Sequence, residues 1–340
     1  MSISFPFPIL FGDVGGTNGR FALLRGPEEP LGPIIRLQTS AYASAELGLQ
    51  AAIDQCDASP QSMILCGAGP LSGRSVTLTN AGWTFDGPQL TKHFRLKQGL
   101  LLNDLEGQAL SLPSLESKDM LRLSPNSVMP SPQGVRLVIG VGTGLGVSAL
   151  VPYQDQFIPL ASEGGHCDLA FSPETDVSWM PFMERVKGHL TVETLLSGRG
   201  LARLHTARSK AHGFLETSHQ QAQYIVERAN QDSEEGRFCR ATIEVYLQVM
   251  ANQVGNFAVT FMATGGVMLV GGVTGHLLPF LHADEFYRNF VDRPPMTHLM
   301  SRMPLSCVTH DETVFIGMVS VALQPEKYGL LWSERLWCPF

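Results

Sequence analysis

The sequence predicts a mixed α/β protein made of two units of similar plan, and three observations carry that reading. Two strand–turn–strand segments, Phe7 to Leu24 and Val135 to Val151, each hold a glycine-rich turn. Strand-like and helix-like hydrophobic patterns alternate through the first third of the chain. The 340 residues are 44% hydrophobic and 16% charged, which suits a globular chain long enough for two domains. Two similar units leave a ligand cleft between them, a favoured place for a site.

Taken in order, the first third predicts strands at 7–12, 20–25, 34–39, 63–68, 75–85 and 99–103. A helix is expected from Ser44 to about Cys56, and another from Asp86, with Gln89 three residues on as a capping partner. Leu105 to Leu112 reads as helix. Pro113 to Gln133 is rich in Pro and Ser and marks a boundary. The second unit opens with strands over Val135–Val141 and Leu145–Val151. Ser172-Pro173 predicts a helix start, and helices are expected over 173–188, 191–197, 199–209, 217–231 and 237–263. A buried strand at Val267–Val270, a strand at Leu305–Thr309 and a helix at Val314–Leu323 complete the pattern.

Charge and cysteine usage exclude several classes. The formal net charge of −7, with no cluster of Lys and Arg, argues against nucleic acid as a partner. The six cysteines are scattered without a CxxC pair, which reads as free thiols in a reducing cytosol and no structural zinc. The N-terminus lacks the positive region of a signal peptide. Val245 to Gly275 carries no Asp, Glu, Lys or Arg, but Gln248, Asn252, Gln253 and Asn256 recur at helical spacing and Gly265-Gly266 interrupts it. It therefore reads as a buried helix feeding a buried strand, with no membrane span.

The chemistry-bearing residues cluster in five places. Asp13-Val14-Gly15-Gly16-Thr17-Asn18-Gly19-Arg20 follows an apolar run. Its side-chain-free turn offers peptide N–H groups to an anion; alternatively, the glycines only supply positive φ to a hairpin. Gly140-Val141-Gly142-Thr143-Gly144-Leu145-Gly146 is a second such turn, able to clamp the same phosphate chain. Gly271-Gly272 follows Val267–Val270 and either admits the face of a nucleobase or lets strand and helix pack closely. Asn103-Asp104 ends the Leu100–Leu102 strand, where ligands sit in open α/β sheets. Asp104 can take a proton from an attacking alcohol, or the pair can cap a helix, and both can hold at once. Glu163-Gly164-Gly165-His166 and Glu193 supply acceptors for vicinal hydroxyls, a set suited to a neutral sugar rather than an anion.

On these residues the chain resembles a bacterial-type glucokinase of the actin/hexokinase/Hsp70-like ATPase superfamily. The matching pieces are Gly12 to Arg20, Asn80 with Trp83, Asn103-Asp104, Gly142 to Gly146, Glu163 to Asp168, Glu193 with Leu196-Ser197-Gly198, and Gly265 to Gly272. They stand in family order over about residues 8 to 323. The resemblance implies a two-domain actin-like ATPase (ribonuclease H-like) fold. A small domain, 1–113, would be rejoined by the C-terminal helix at about 312–340, and 114–311 would form the large domain. It implies ATP-dependent phosphorylation of glucose with Mg²⁺, in the cytoplasm, by a homodimer. Asp104 resembles the catalytic base. Asn80, Asn103, Glu163, His166 and Glu193 resemble the sugar-binding set. Asp13, Gly15, Gly16, Thr17 and Asn18 match the first phosphate motif, with Asp13 placing Mg²⁺ through water. Gly142, Thr143 and Gly144 match the second, and Gly271 and Gly272 the adenosine motif.

The chain departs from the family pattern at Gly19, at Arg199, and at Leu105-Glu106 after Asp104. Residues Gln324 to Phe340, with Trp332 and Trp337, extend past the usual end, and the sequence assigns them no role. The alternatives are a kinase for mannose, fructose or an N-acetylated hexosamine, and a non-catalytic sugar sensor. A chaperone-like ATPase would need a peptide-binding domain that the pattern does not show.

Overall fold

A computed structural model describes residues 3–78, 81–213, 221–309 and 312–338. In chain order its strands are β1 (Ile9–Val14), β2 (Asn18–Leu24), β3 (Ile35–Gln38), β4 (Ser62–Gly67), β5 (Leu71–Ser72), β6 (Ser75–Thr77), β7 (Thr84–Asp86) and β8 (Gln98–Asn103). They continue with β9 (Met120–Arg122), β10 (Arg136–Val141), β11 (Leu145–Tyr153), β12 (Gln156–Ser162), β13 (Gly266–Val270), β14 (Leu305–Val308) and β15 (Leu336–Trp337).

The chain divides into two compact units. The first comprises Met1–Leu115, Leu150–Ala161 and Glu312–Phe340. Its main sheet runs β15-β8-β4-β1-β2-β3. β1, β4 and β8 are parallel and buried on both faces, so they read as unbroken apolar runs rather than alternating ones. β1 turns back through Gly15-Gly16 into antiparallel β2. The register aligns Val14 with Gly67 and Gly67 with Asn103, so the glycine turn and the Asn103-Asp104 corner lie at the carboxyl end of these parallel strands. Ser44 caps the helix Ala45–Ile53, and Asp86 caps Gly87–Phe94 through the Gln89 N–H at 3.0 Å, as the sequence predicts. The strand expected over 75–85 divides into β6 and β7, a hairpin of the small sheet β5-β6-β7. The helices Asp104–Ser111 and Thr313–Leu323 cross where a Cβ on Gly317 would lie 2.2 Å from the Gly107 carbonyl oxygen.

The tail, which the sequence leaves unassigned, packs on its own chain. β15 pairs antiparallel with β8 of its own chain, Leu336 opposite Leu100, and Trp337 is fully buried. The indole fills a slot that Gly87 and Gly99 leave open; a Cβ on either would meet it at 2.6 and 2.5 Å.

The second unit comprises Glu116–Ala149 and Ser162–Asp311. Its strands β10, β13 and β14 are parallel and belong to the sheet β12-β11-β10-β13-β14-β9, in which the end of β11 and β12 up to Ala161 fall in the Leu150–Ala161 segment grouped with the first unit. The 28-residue helix Glu234–Phe261 is capped by Ser233 and buries most of its length in this core, including Asn252 and Gln253. No helix among the described residues is long and apolar enough to cross a membrane.

Two expectations for this unit need correction. The helix predicted over 173–188 is absent: only the short 3₁₀ turn Met180–Phe182 forms there. Asp176 instead takes the Ser178 N–H at 3.0 Å, and the Trp179 indole N–H donates to the Asp176 carbonyl at 2.6 Å. Such local bonds compete with the helical ladder, and the positive φ at Lys187 and Gly188 ends any run. The Pro- and Ser-rich boundary at 113–133 also holds β9, which pairs antiparallel with β14. The predicted 217–231 helix is described as Ala222–Ala229, its earlier part falling outside the described residues.

Candidate active site

In the first unit, Asp13 faces Arg20 directly across the β1–β2 pair. The guanidinium donates through Nε to the Asp13 carboxylate at 2.9 Å, and through a second nitrogen to the same oxygen. Thr39 braces the turn: its hydroxyl donates to the Gly16 carbonyl at 2.8 Å and its N–H to Thr17 O at 3.0 Å. The Gly15 N–H is spent closing the turn on Asn18 O. Neither Gly15 nor Gly16 has positive φ, so the turn does not require them for a left-handed backbone. A Cβ on Gly15 would meet nothing closer than 3.7 Å, so the chain's own packing does not require glycine there.

Asn103 is the cap of the helix Asp104–Ser111, accepting the Leu105 N–H at 3.0 Å, and Asp104 is the first helical residue. The Asn103 side-chain amide donates to Gly69 O at 3.1 Å. Glu106 completes a capping box by accepting the Asn103 main-chain N–H at 3.3 Å. Cys66 lies on β4 beside these carboxylates. Burial pushes its thiol well above the ordinary value, and the charges of Asp13, Asp104 and Glu106 push it further, so it is no nucleophile. Asn80 lies outside the described residues.

In the second unit three features meet at the start of β11. The Leu145 N–H donates to Glu193 Oε2 at 2.9 Å. Gly144 fits against the same carboxylate, where a Cβ would be 2.4 Å from Oε2. Gly165 packs on the Leu145 carbonyl oxygen, where a Cβ would lie at 2.1 Å. Glu163 and His166, flanking Gly165, are exposed, with 3.8 Å between Oε2 and Nε2. Glu193 thus lies against the Gly142–Gly144 turn, while Glu163 and His166 stand on the segment that packs on Leu145 through Gly165.

That turn also meets the helix Gly198–Ala211. The Gly198 N–H donates to Gly142 O at 2.9 Å, so the positive end of a 14-residue helix lies at the turn. Gly271 has φ 100°, and a Cβ there would lie 2.4 Å from the Val141 carbonyl oxygen. Backbone geometry alone demands that glycine. Gly142 and Gly272 differ: a Cβ on either would meet nothing within 4 Å. Both line a cavity of about 910 Å³, together with Thr143, Arg199, Arg203, Lys210 and His276. Sequence reasoning missed Arg203, Lys210 and His276, and named Arg199 only as a departure from the family pattern. It also missed Arg20, Thr39 and Glu106 as partners of site residues, although Asn103-x-x-Glu106 is a readable capping signal.

A family model described as Glucokinase matches residues 10–325. The chain is 36% identical to the glucokinase of Rhizobium meliloti (strain 1021), over 98% of this chain and 97% of the relative. A glucokinase crystal structure from an Antarctic psychrotroph superposes with a TM-score of 0.81 at 27% identity, covering 94% of this chain and 99% of the other. A ROK family glucokinase from Streptomyces griseus, solved with glucose and AMPPNP, shares the fold at a TM-score of 0.61 and 16% identity, over 93% and 99% of the chains. The architecture is that of the two-domain actin-like ATPases. With a match that spans both units and every candidate residue built up here, the chain belongs to the glucokinase family.

Proposed function

We infer that this chain carries out the reaction for which its family is named, moving the terminal phosphoryl group of ATP to the 6-hydroxyl of D-glucose. The family match across residues 10–325 carries the reading, because it encloses every candidate site residue. The Streptomyces griseus neighbour, bound to glucose and AMPPNP, supports a sugar acceptor and a nucleotide donor.

Asp104 is proposed as the base. Its carboxylate accepts the proton of the 6-hydroxyl as that oxygen attacks the γ-phosphorus. Asn103, Glu163, His166 and Glu193, with Asn80, are proposed to hold the sugar ring. The turns Gly15–Asn18 and Gly142–Gly144 are proposed to receive phosphates, and Gly271-Gly272 the adenosine. The cavity supports the donor assignment, since Gly142 and Gly272 leave room that the chain does not use. Asp13, whose carboxylate is held by Arg20, is proposed to place Mg²⁺ through water, since that cation keeps several waters and takes one or two carboxylates plus substrate phosphates. Bound there, the ion would supply charge neutralisation to the phosphates. The domain division at 113 and 311 and the homodimer belong to the same proposal; light scattering reads the latter.

The test is ADP formation by purified protein with ATP, Mg²⁺ and each of glucose, mannose, fructose and N-acetylglucosamine. Glucose is expected to give the highest kcat/KM. Preference for the acetamido sugar would overturn the substrate, and no ADP with any hexose would leave a sensor.

A further inference from the structure

Glu106, one of the departures from the family pattern, is only 1% exposed. A buried carboxylate is costly unless it is paired and hydrogen-bonded. Glu106 has two partners of different origin. The Asn103 main-chain N–H donates to Oε2 at 3.3 Å, and the Arg335 guanidinium donates to Oε1. Arg335 lies in the C-terminal extension beyond residues 10–325, the part that the family model matches, immediately before β15. β15 pairs with β8, the strand that ends in Asn103, and Trp337 locks that pairing between Gly87 and Gly99. At the far end of the helix Asp104–Ser111, the Tyr328 hydroxyl donates to Leu110 O at 3.2 Å. Arg74 holds the extension by donating to Ser333 O at 3.1 Å. The extension therefore fastens both ends of the helix that begins at Asp104.

We propose that residues 324–338 are a strap that fixes the Asn103–Asp104 corner, with Arg335 as a positioning residue acting through Glu106. This rests on the reading of Asp104 as the base. Without Arg335, the Glu106 carboxylate keeps one N–H in a buried place. Turning out to water would release the Asn103 amide and let the corner shift, and a displacement of about 1 Å can cost about 10²-fold in rate. The guanidinium bonds the Glu106 carboxylate; it works on rate by holding geometry.

The experiment compares Arg335→Ala, Arg335→Lys, Glu106→Gln and the double variant Glu106→Gln/Arg335→Ala with wild type, all checked for folding. Arg335→Ala is expected to lower kcat by about tenfold or more, with the glucose KM changed by less than about threefold. Arg335→Lys should recover part of the loss, and the double variant should lose no more than the worse single one. A merely structural role would lower the melting temperature and leave the kcat of folded protein intact. A kcat for Arg335→Ala within about twofold of wild type, or additive losses in the double variant, would overturn the proposal. Should Arg335→Ala not fold, Glu106→Gln is decisive: a several-fold fall in kcat is expected, and an unchanged kcat overturns the strap. Asp104→Ala, run in parallel, separates the two readings. Near-normal turnover there removes the base; its loss beside a full kcat in Arg335→Ala removes the strap alone.

Discussion

Of the two roles that the sequence leaves open at Asp104, helix cap and proton acceptor, the first falls to its neighbour. Asn103 makes the capping bonds, and Asp104 begins the helix. Asp104→Ala should therefore cost turnover without costing the cap: a loss of about 10²–10⁴-fold in kcat, the usual worth of a general base, with glucose affinity weakened far less. Single-turnover rates and glucose titration by intrinsic fluorescence check this. Glu193 is expected to behave differently. Its Oε2 holds the Leu145 N–H and lies against Gly144, so Glu193→Ala should raise the KM of both glucose and ATP, whereas Glu193→Gln keeps an acceptor oxygen for Leu145 and should mainly affect glucose. Residue types with known chemistry at fixed spacing were legible at this scale. Their partners were not: Arg20 and Thr39 reach them through strand pairing that no local pattern states, whereas Glu106 follows a capping spacing that was there to be read.

Among elements, the glycines sort into those the backbone demands and those it does not. Gly271 is of the first kind, so Gly271→Ala combines a left-handed φ with a clash against Val141 O. A loss of at least about 2 kcal/mol in denaturant unfolding is expected. Trp337→Ala opens a cavity between Gly87 and Gly99 and should cost about 3–5 kcal/mol. Strands and capped helices of the first unit were readable because their apolar runs and caps are local. The 173–188 segment was misread because Ser172-Pro173 looks like a helix start, while the bonds that decide its path, from Ser178 and Trp179 to Asp176, favour turns. β15 escaped notice because two residues carry no period of their own; Trp337 finds its place only through glycines far away in sequence.

For the whole molecule, the division into two units is foreshadowed by the repeated strand–turn–strand order. The regrouping of Leu150–Ala161 with the first unit is not, since it follows from long-range packing. The thiols give a measurable property of the entire fold. Burial raises Cys239 and Cys307 from 9.0 to about 11. The folded state then holds protons that the unfolded chain would release, so this stability is complete below the unfolded value and is lost as pH climbs toward the folded one. The urea midpoint should fall between pH of about 9 and about 11, and Cys239→Ala with Cys307→Ala should flatten that fall.

The pairing of β15 with β8 also has a consequence for synthesis. At roughly 5–20 residues per second, Trp337 leaves the ribosome on the order of tens of seconds after Gly99. Until it does, Leu100, Leu101 and Leu102 lie in an outermost strand whose main-chain groups on that side have no ladder, an invitation to another nascent chain. Slow translation of the intervening residues should therefore raise the insoluble fraction.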